Sequence, residues 1–282
     1  MIEAPHPPHV ATYREQGFAV VRGVFAPAEV AVLAEAFDAE WRAGVQHGRS
    51  FRHGNLYYRI AQDPALGPIV RLAQWPSYHR PELEQVRRDP RMLAIVAPLI
   101  GTDVKQIINQ LHWKPPGAAM ADFAYHQDCR FRKPREAYRR LASSYVQTGI
   151  AVDPHRAVSG AMRMLPRSHL LGELPLNEDA RVSSAEASEA ALAAVGLAAA
   201  DLVDLELEPG DVALWHPYMV HGSGANRTAN DRRFYINGYV AAAACDRGEW
   251  AFRDGKPVSL GAPQLVHYEE LLTRPEPHYP DV

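Results

Sequence analysis

The spacing of apolar positions changes once along this chain, near residue 100. Before that point "AEVAVLAEAFDAEWRAGV", which follows Pro27, repeats its apolar residues as one face of a helix does, with proline in the first turn. Asp89-Pro90 opens a second such run, "RMLAIVAPLIG", with the aspartate as its cap. "GFAVVRGVF" (Gly17 to Phe25) reads as a strand, whereas "HGNLYYRIAQDP" and "LAQWPSYHRP" are irregular and aromatic. Residues 1 to about 100 are therefore expected to form a mostly helical lead-in. From about 101 to 245 the chain turns to short runs rich in β-branched and aromatic residues, parted by Gly, Pro or Asp. These are "VKQIINQLHWKPPG", "FAYHQD", "SSYVQTGIAVD", "GAMRMLP", "LVDLELEPGDVALWHP" and "RRFYINGYVAA". Many short strands at modest spacing predict a mainly β sandwich or jelly roll with peripheral helices. The Ala-rich "VSSAEASEAALAAVGLAAADL" reads as a helix or excursion between strands, and the Pro-rich tail after Gly261 as carrying one short helix. No repeat or second domain is visible, so residues 1–282 are read as one domain.

Composition narrows the partners more than it names them. With 47% hydrophobic and 22% charged residues, the 282-residue chain can bury one large core. Thirty basic side chains against thirty-three acidic ones give a net charge of -3, without the basic excess of a nucleic-acid surface. The start, "MIEAPHPPHVATYREQGF", lacks a basic n-region followed by an apolar h-region, and no uncharged apolar run reaches the ~18 residues of a membrane span. A cytoplasmic protein with no membrane or nucleic-acid partner is expected. Cys129 and Cys245 are the only cysteines, so no disulfide framework is expected and a cysteine-built zinc site is excluded.

Candidate chemistry gathers in two places. In "FAYHQDC" a strand would turn His126 and Asp128 to one side and Gln127 to the other. That pair is half of a metal site, or only a histidine hydrogen-bonded to its neighbour. A third candidate, His221, stands near a strand end in "GDVALWHPYMVHGSGANRTANDRRFYINGYV". Two histidines and one carboxylate make the face that leaves open positions on non-haem Fe(II). In the following strand Arg232 shares a face with Phe234, Ile236, Gly238 and Val240, while Arg233, Tyr235, Asn237 and Tyr239 share the other. An arginine aimed into a core needs an anion: a dicarboxylate co-substrate would serve, as would an internal Asp or Glu.

His126-Gln127-Asp128, then His221-Gly-Ser223-Gly-Ala-Asn226-Arg-Thr228, then Arg232, resembles the phytanoyl-CoA dioxygenase family of Fe(II)/2-oxoglutarate oxygenases. The likeness runs from about Gln110 to Tyr239 and takes in "WKPPG" and "SGAMRMLPRSH". It implies a double-stranded β-helix core (jelly roll, cupin-like), with iron held by His126, Asp128 and His221. It implies further that Arg232 and Ser223 hold the distal carboxylate of 2-oxoglutarate, with Gln110 at another contact position. Halogenating relatives carry a small residue where this chain has Asp128, so hydroxylation is implied over halogenation. The implied reaction consumes O2 and 2-oxoglutarate, releases succinate and CO2, and hydroxylates a C–H bond of a small molecule. A same-fold metal oxygenase that desaturates or rearranges its substrate, and a non-catalytic metal-binding jelly roll, are the competing readings.

Other residues are read more plainly. His112 and His216 are expected to be ordinary hydrogen-bonded histidines, and Cys129 a small packing residue. The run Arg130-Phe131-Arg132-Lys133-Pro134-Arg135, with Arg139 and Arg140, reads as a solvated loop that is also a candidate grip for an anionic substrate. "NLYYRIAQ", with Trp75 and Tyr78, could form a lid over the iron or pack helices on the barrel.

Overall fold

The computed structural model describes residues 7–118, 121–176, 185–263, 274 and 276–280. Two helices open the chain, α1 (Pro8–Gln16) and α2 (Pro27–Val45), with β1 (Phe18–Val21) between them. A meander follows: β2 (Phe51–His53), β3 (Leu56–Asp63) and β4 (Gly67–Gln74). Helices α3 (Pro81–Arg87) and α4 (Pro90–Ile100) then lead into β5 (Val104–Lys114) and β6 (Phe123–His126). Next come the short α5 (Leu141–Ser144), β7 (Tyr145–Ala151), β8 (Met162–Met164), α6 (Ala185–Ala194) and β9 (Val203–Asp204). The chain continues through β10 (Val212–Trp215), β11 (His221–Ser223), β12 (Arg232–Ala241), β13 (Glu249–Arg253) and β14 (Lys256–Pro257).

All recorded pairings are antiparallel. The large sheet runs β1-β10-β7-β12-β5-β4-β3-β2, with β13 paired to β5 and β14 to β13, and the small one runs β6-β11-β8-β9. An apolar cluster with Met162 and Met164 from the small sheet and Ile108, Phe234 and Ile236 from the large one fills the space between them. The chain thus forms the expected mainly β jelly roll with peripheral helices. A second cluster lies on the large sheet's other face, where Val30, Leu33 and Phe37 of α2 and Ile95 and Val96 of α4 cover Leu111, Trp113, Tyr235 and Tyr239.

The helix signals have local causes. Pro27 occupies the first turn of α2, and Glu29 accepts a 2.8 Å hydrogen bond from the Ala26 amide. Asp89 caps α4 by accepting from the Arg91 amide at 2.8 Å. β1 falls where a strand was expected, and the lead-in also carries the strands β2 to β4 that were not. In β3 the buried Leu56, Tyr58 and Ile60 alternate with less buried Tyr57 and Arg59, a period of two that the aromatic composition obscured. "NLYYRIAQ" is accordingly sheet and not a lid. The Ala-rich insertion does contain a helix, α6, whereas the short helix expected in the tail after Gly261 lies outside the described residues. Among the described residues no helix is long and apolar enough to cross a membrane.

Candidate metal centre

Strand pairing brings the histidines together before any metal does. His126 ends β6 and His221 begins β11, and the register places them directly opposite, with ring centroids 4.3 Å apart. Each ring is turned the same way by its own chain. His126 Nδ1 lies 2.7 Å from the Ala124 carbonyl and His221 Nδ1 lies 2.9 Å from the Met219 carbonyl. A carbonyl only accepts, so both Nδ1 atoms carry the proton and both Nε2 lone pairs are free to bind a cation. The two Nε2 atoms stand 3.8 Å from opposite oxygens of Asp128. One ligand atom from each of the three residues falls within 4.8 Å of the others.

Asp128 reaches this point just past the strand end. The strand stops at His126, Gln127 continues in extended conformation, and Asp128 begins a 3-10 turn, Asp128–Phe131, anchored by the Cys129 amide donating to the Pro217 carbonyl at 2.8 Å. Alternation across the extended Gln127 sets the carboxylate on the histidine side, as expected, and the turn follows it. Gln127 between them faces away, as expected, yet it is far from idle. Its amide nitrogen donates to Gly172 and Tyr218 carbonyls at 2.8 and 2.7 Å, and its oxygen accepts from the Leu174 amide at 2.7 Å. Trp215 on β10 donates from Nε1 to Asp128 Oδ2 at 2.8 Å. Neither support has a periodic signal: every residue of β10 is buried, so nothing in its pattern marks Trp215.

Electrostatics suit a cation. Burial, and next the adjacent His221, push the His126 ring down to about 4, so it is neutral near pH 7. Burial alone would raise the Asp128 carboxyl, but His221, His126, Arg132 and the Trp215 hydrogen bond together bring it below its ordinary value. Two imidazoles presenting Nε2 beside one carboxylate make a donor set that a divalent ion would answer.

The triad lies in the wall of a cavity of about 1210 Å³ that is also lined by Arg232, Ser223 and Gln110. Arg232 starts β12 opposite Lys114, is 3% exposed, and donates to the Gly160 carbonyl at 2.9 Å. Gly160 has φ +72, and a Cβ there would meet the Gly224 carbonyl at 2.5 Å, so glycine is required where this acceptor turns inward. Among the described residues Arg232 makes no ion pair, and its Nε has no hydrogen-bond partner. An internal carboxylate is therefore not what answers it. Burial lowers its guanidinium to about 10, so it remains charged near neutrality. Arg233 points to the other side and grips Asp153 and Asp38 at 2.8 Å each. Ser223 is buried on β11, and Gln110 is engaged with His112 Nε2 at 3.0 Å.

The remaining sequence candidates divide. His112 lines the cavity but stands apart from the triad, while His216 donates from Nε2 to the Ala142 carbonyl at 2.8 Å. Cys129 is fully buried in the inter-sheet core. The basic run is not simply a solvated loop, because Arg130, Arg132, Lys133 and Arg135 all line the cavity. Arg132 is 2% exposed with its guanidinium 5.1 Å from the Tyr145 ring centroid, and Arg135 pairs with Glu173.

A family model described as phytanoyl-CoA dioxygenase matches residues 13–234, a span that holds the triad and Arg232. The dioxygenase lolE1 of Epichloe uncinata is 27% identical over 190 residues, 67% of this chain and 63% of that protein. The probable alpha-ketoglutarate-dependent hypophosphite dioxygenase of Stutzerimonas stutzeri is 25% identical over 265 residues, 92% of this chain and 83% of that one. Among solved structures, EctD from S. alaskensis with 2-oxoglutarate and 5-hydroxyectoine superposes with a TM-score of 0.65 at 19% identity, over 95% of this chain and 89% of that chain. At that identity the likeness speaks for the fold.

Proposed function

The chain belongs to the phytanoyl-CoA dioxygenase family, and from that premise we propose that it is an Fe(II)- and 2-oxoglutarate-dependent dioxygenase hydroxylating a C–H bond of a small molecule. The observation that carries this reading is the convergence of His126, Asp128 and His221 within 4.8 Å on a cavity that also receives Arg232, which makes no ion pair among the described residues. The donor set fits the metal: two imidazoles with fixed tautomers and one carboxylate make a three-ligand face that leaves positions open. The cavity fits the co-substrate, since Arg232 offers a buried cation with an unused Nε–H and Ser223 a hydroxyl in the same wall. When bound, Fe(II) couples oxidative decarboxylation of 2-oxoglutarate by O2, with release of succinate and CO2, to oxidation of the substrate.

The chain's own contribution is positioning. Ala124 and Met219 hold the rings through Nδ1, and Trp215 steadies one oxygen of Asp128, so the three donors are aimed before the metal arrives. Arg232, held by Gly160, receives the distal carboxylate of 2-oxoglutarate with Ser223, and Gln110 is a further contact on β5. Ile108, Phe123, Phe131 and Phe234 dry the space in which the substrate is oxidised. The buried free Cys129 and Cys245 support a reducing, cytoplasmic setting.

The test is anaerobic titration with Fe(II) and 2-oxoglutarate, followed by a screen of metabolite pools for succinate release and product mass. One Fe(II) per chain and a product heavier by one oxygen are expected. A product lighter by two hydrogens would replace hydroxylation by desaturation, and absence of Fe(II) binding would overturn the reading.

A further inference from the structure

One ladder of the large sheet runs across the cavity to a charge left unanswered by the rest of the described protein. Phe234 of β12 pairs with His112 of β5, His112 with Leu72 of β4, and Leu72 with Arg59 of β3, and all four line the cavity. Directly paired residues share a face, and strands lie about 4.8 Å apart, so the Arg59 backbone is about 14 Å across the sheet from that of Phe234. Arg59 is half-buried, and among the described residues it makes no hydrogen bond or ion pair. Close to it stands another cation, the buried Arg71, which burial and next Arg59 lower to about 10 against the opposing Asp122. Among the described lining residues Glu173 is taken by Arg135, and Asp128 faces the two histidines, so neither carboxylate is offered to Arg59.

We propose that Arg59 is a substrate-binding residue that takes the anionic group, a carboxylate or a phosphate, of an elongated substrate whose apolar middle lies along Leu72, Ile108 and Phe234. The substrate's other end then reaches the metal centre. This rests on the dioxygenase reading for the place of oxidation, and it adds the substrate's charge and the position of that charge. A cavity of about 1210 Å³ has space for such a molecule beside 2-oxoglutarate. A half-buried cation beside a second cation is costly unless an anion arrives, and a charge-assisted contact there selects anionic over neutral substrates.

The experiment is calorimetric titration of the chain, loaded anaerobically with Fe(II) and 2-oxoglutarate, with octanoate, octyl phosphate and 1-octanol. These share one apolar body and differ in the head group. Prior loading fills the Arg232 site, so the anionic probes must use the rest of the cavity. At least one anionic probe is expected to bind about tenfold or more tightly than 1-octanol, the scale of a charge-assisted hydrogen bond. The better of the two identifies the group. Arg59→Gln should remove that preference with 1-octanol affinity unchanged, Arg59→Lys should restore part of it, and the exposed Arg253→Gln should leave it intact. Equal affinity for all three probes, or a preference that survives Arg59→Gln, overturns the proposal. A preference abolished by Arg130→Gln but not by Arg59→Gln places the anion at the basic run and likewise overturns it. If Fe(II) and 2-oxoglutarate fail to bind, the cofactor reading falls separately, and the same parent-to-variant ratio in the unloaded chain decides the role of Arg59.

Discussion

The two faces of the β5–β12 pair differ in what they leave undone. On the face toward the helices, several polar groups close on one another. Tyr235 Oη meets Ser77 at 3.0 Å, accepts from Asn109 at 2.7 Å and donates to the Leu83 carbonyl at 3.0 Å. Tyr239 Oη donates to the Arg87 carbonyl at 2.6 Å, and Arg233 is gripped by two aspartates. On the face toward the cavity, Arg232 keeps an unused Nε and has one carbonyl for company. Trp113 Nε1 and Asn237 Nδ2 on the first face also lack a partner among the described residues, so the contrast lies in charge: the arginine of the first face is answered by carboxylates, and that of the second is not. On the proposed reading, adjacent residues of a single strand serve stability and binding, divided by the pleat.

The largest effect should come from the cavity side. His126→Ala, Asp128→Ala or His221→Ala removes a direct donor, and even outer partners of metal ligands cost about 10- to 100-fold. Each variant is therefore expected to lose more than about 100-fold in Fe(II) affinity and in succinate formation, with far-UV circular dichroism of the metal-free chain unchanged. Retention of parental Fe(II) binding in either histidine variant would remove that residue from the site.

The neighbouring arginines provide the next contrast. A bidentate contact to a charged group is worth roughly 1.5–3 kcal/mol, about 10- to 100-fold in affinity. Arg232→Ala should raise the apparent KM for 2-oxoglutarate by that factor with little change in melting temperature. Arg233→Ala should leave KM within about threefold yet destabilise the fold by roughly 2 kcal/mol, because it strands the half-buried Asp153. Equal KM effects from the two substitutions would erase the division between the faces.

Much of that division was legible beforehand, since period-two alternation separates Arg232 from Arg233 without coordinates. The membership of the triad was legible too, because His126, Asp128 and His221 are chemically conspicuous. Their geometry was legible in part: alternation across the extended Gln127 was readable, whereas the register that sets His126 opposite His221 is a long-range pairing. Of the early strands, β1 was legible in "GFAVVRGVF", whereas β3 stayed hidden because "NLYYRIAQ" carries aromatics on both faces, Tyr58 in the cluster under α2 and Tyr57 opposite it. Trp215 and Gln127 were out of reach for another reason. Each acts through one hydrogen-bond geometry, and a pattern of apolar and polar letters contains no angles.

Trp215 offers a smaller and more selective break. Trp215→Phe keeps the ring in the inter-sheet core and deletes the 2.8 Å donation to Asp128 Oδ2. Weakening of Fe(II) binding by about tenfold is expected, the lower end for an outer partner of a ligand. An unchanged Fe(II) dissociation constant in competition titrations would show that the turn at Asp128–Phe131 orients the carboxylate unaided.

The smallest effect concerns His216, a histidine outside the cluster of His126, Asp128 and His221. His216 is committed in its neutral form: Nε2 donates to the Ala142 carbonyl, and Nδ1 accepts from the Tyr218 amide at 3.1 Å. Burial pushes its ring down to about 4, and the nearby His169 adds to the shift against the opposing Ala142 contact. A proton on Nδ1 would also cost the Tyr218 amide its acceptor. Between the ordinary value near 6.5 and the folded value near 4, the unfolded chain therefore takes up a proton that the folded chain refuses. Stability from this residue is fully present above about 6.5 and falls as the pH drops toward 4, by roughly 1 kcal/mol per pH unit. Urea unfolding of the metal-free chain at pH 7, 6 and 5 measures the slope, and His216→Gln should make it shallower by about that amount. Parallel slopes in parent and variant would mean that the folded chain admits the proton, with the Tyr218 amide turning to another acceptor.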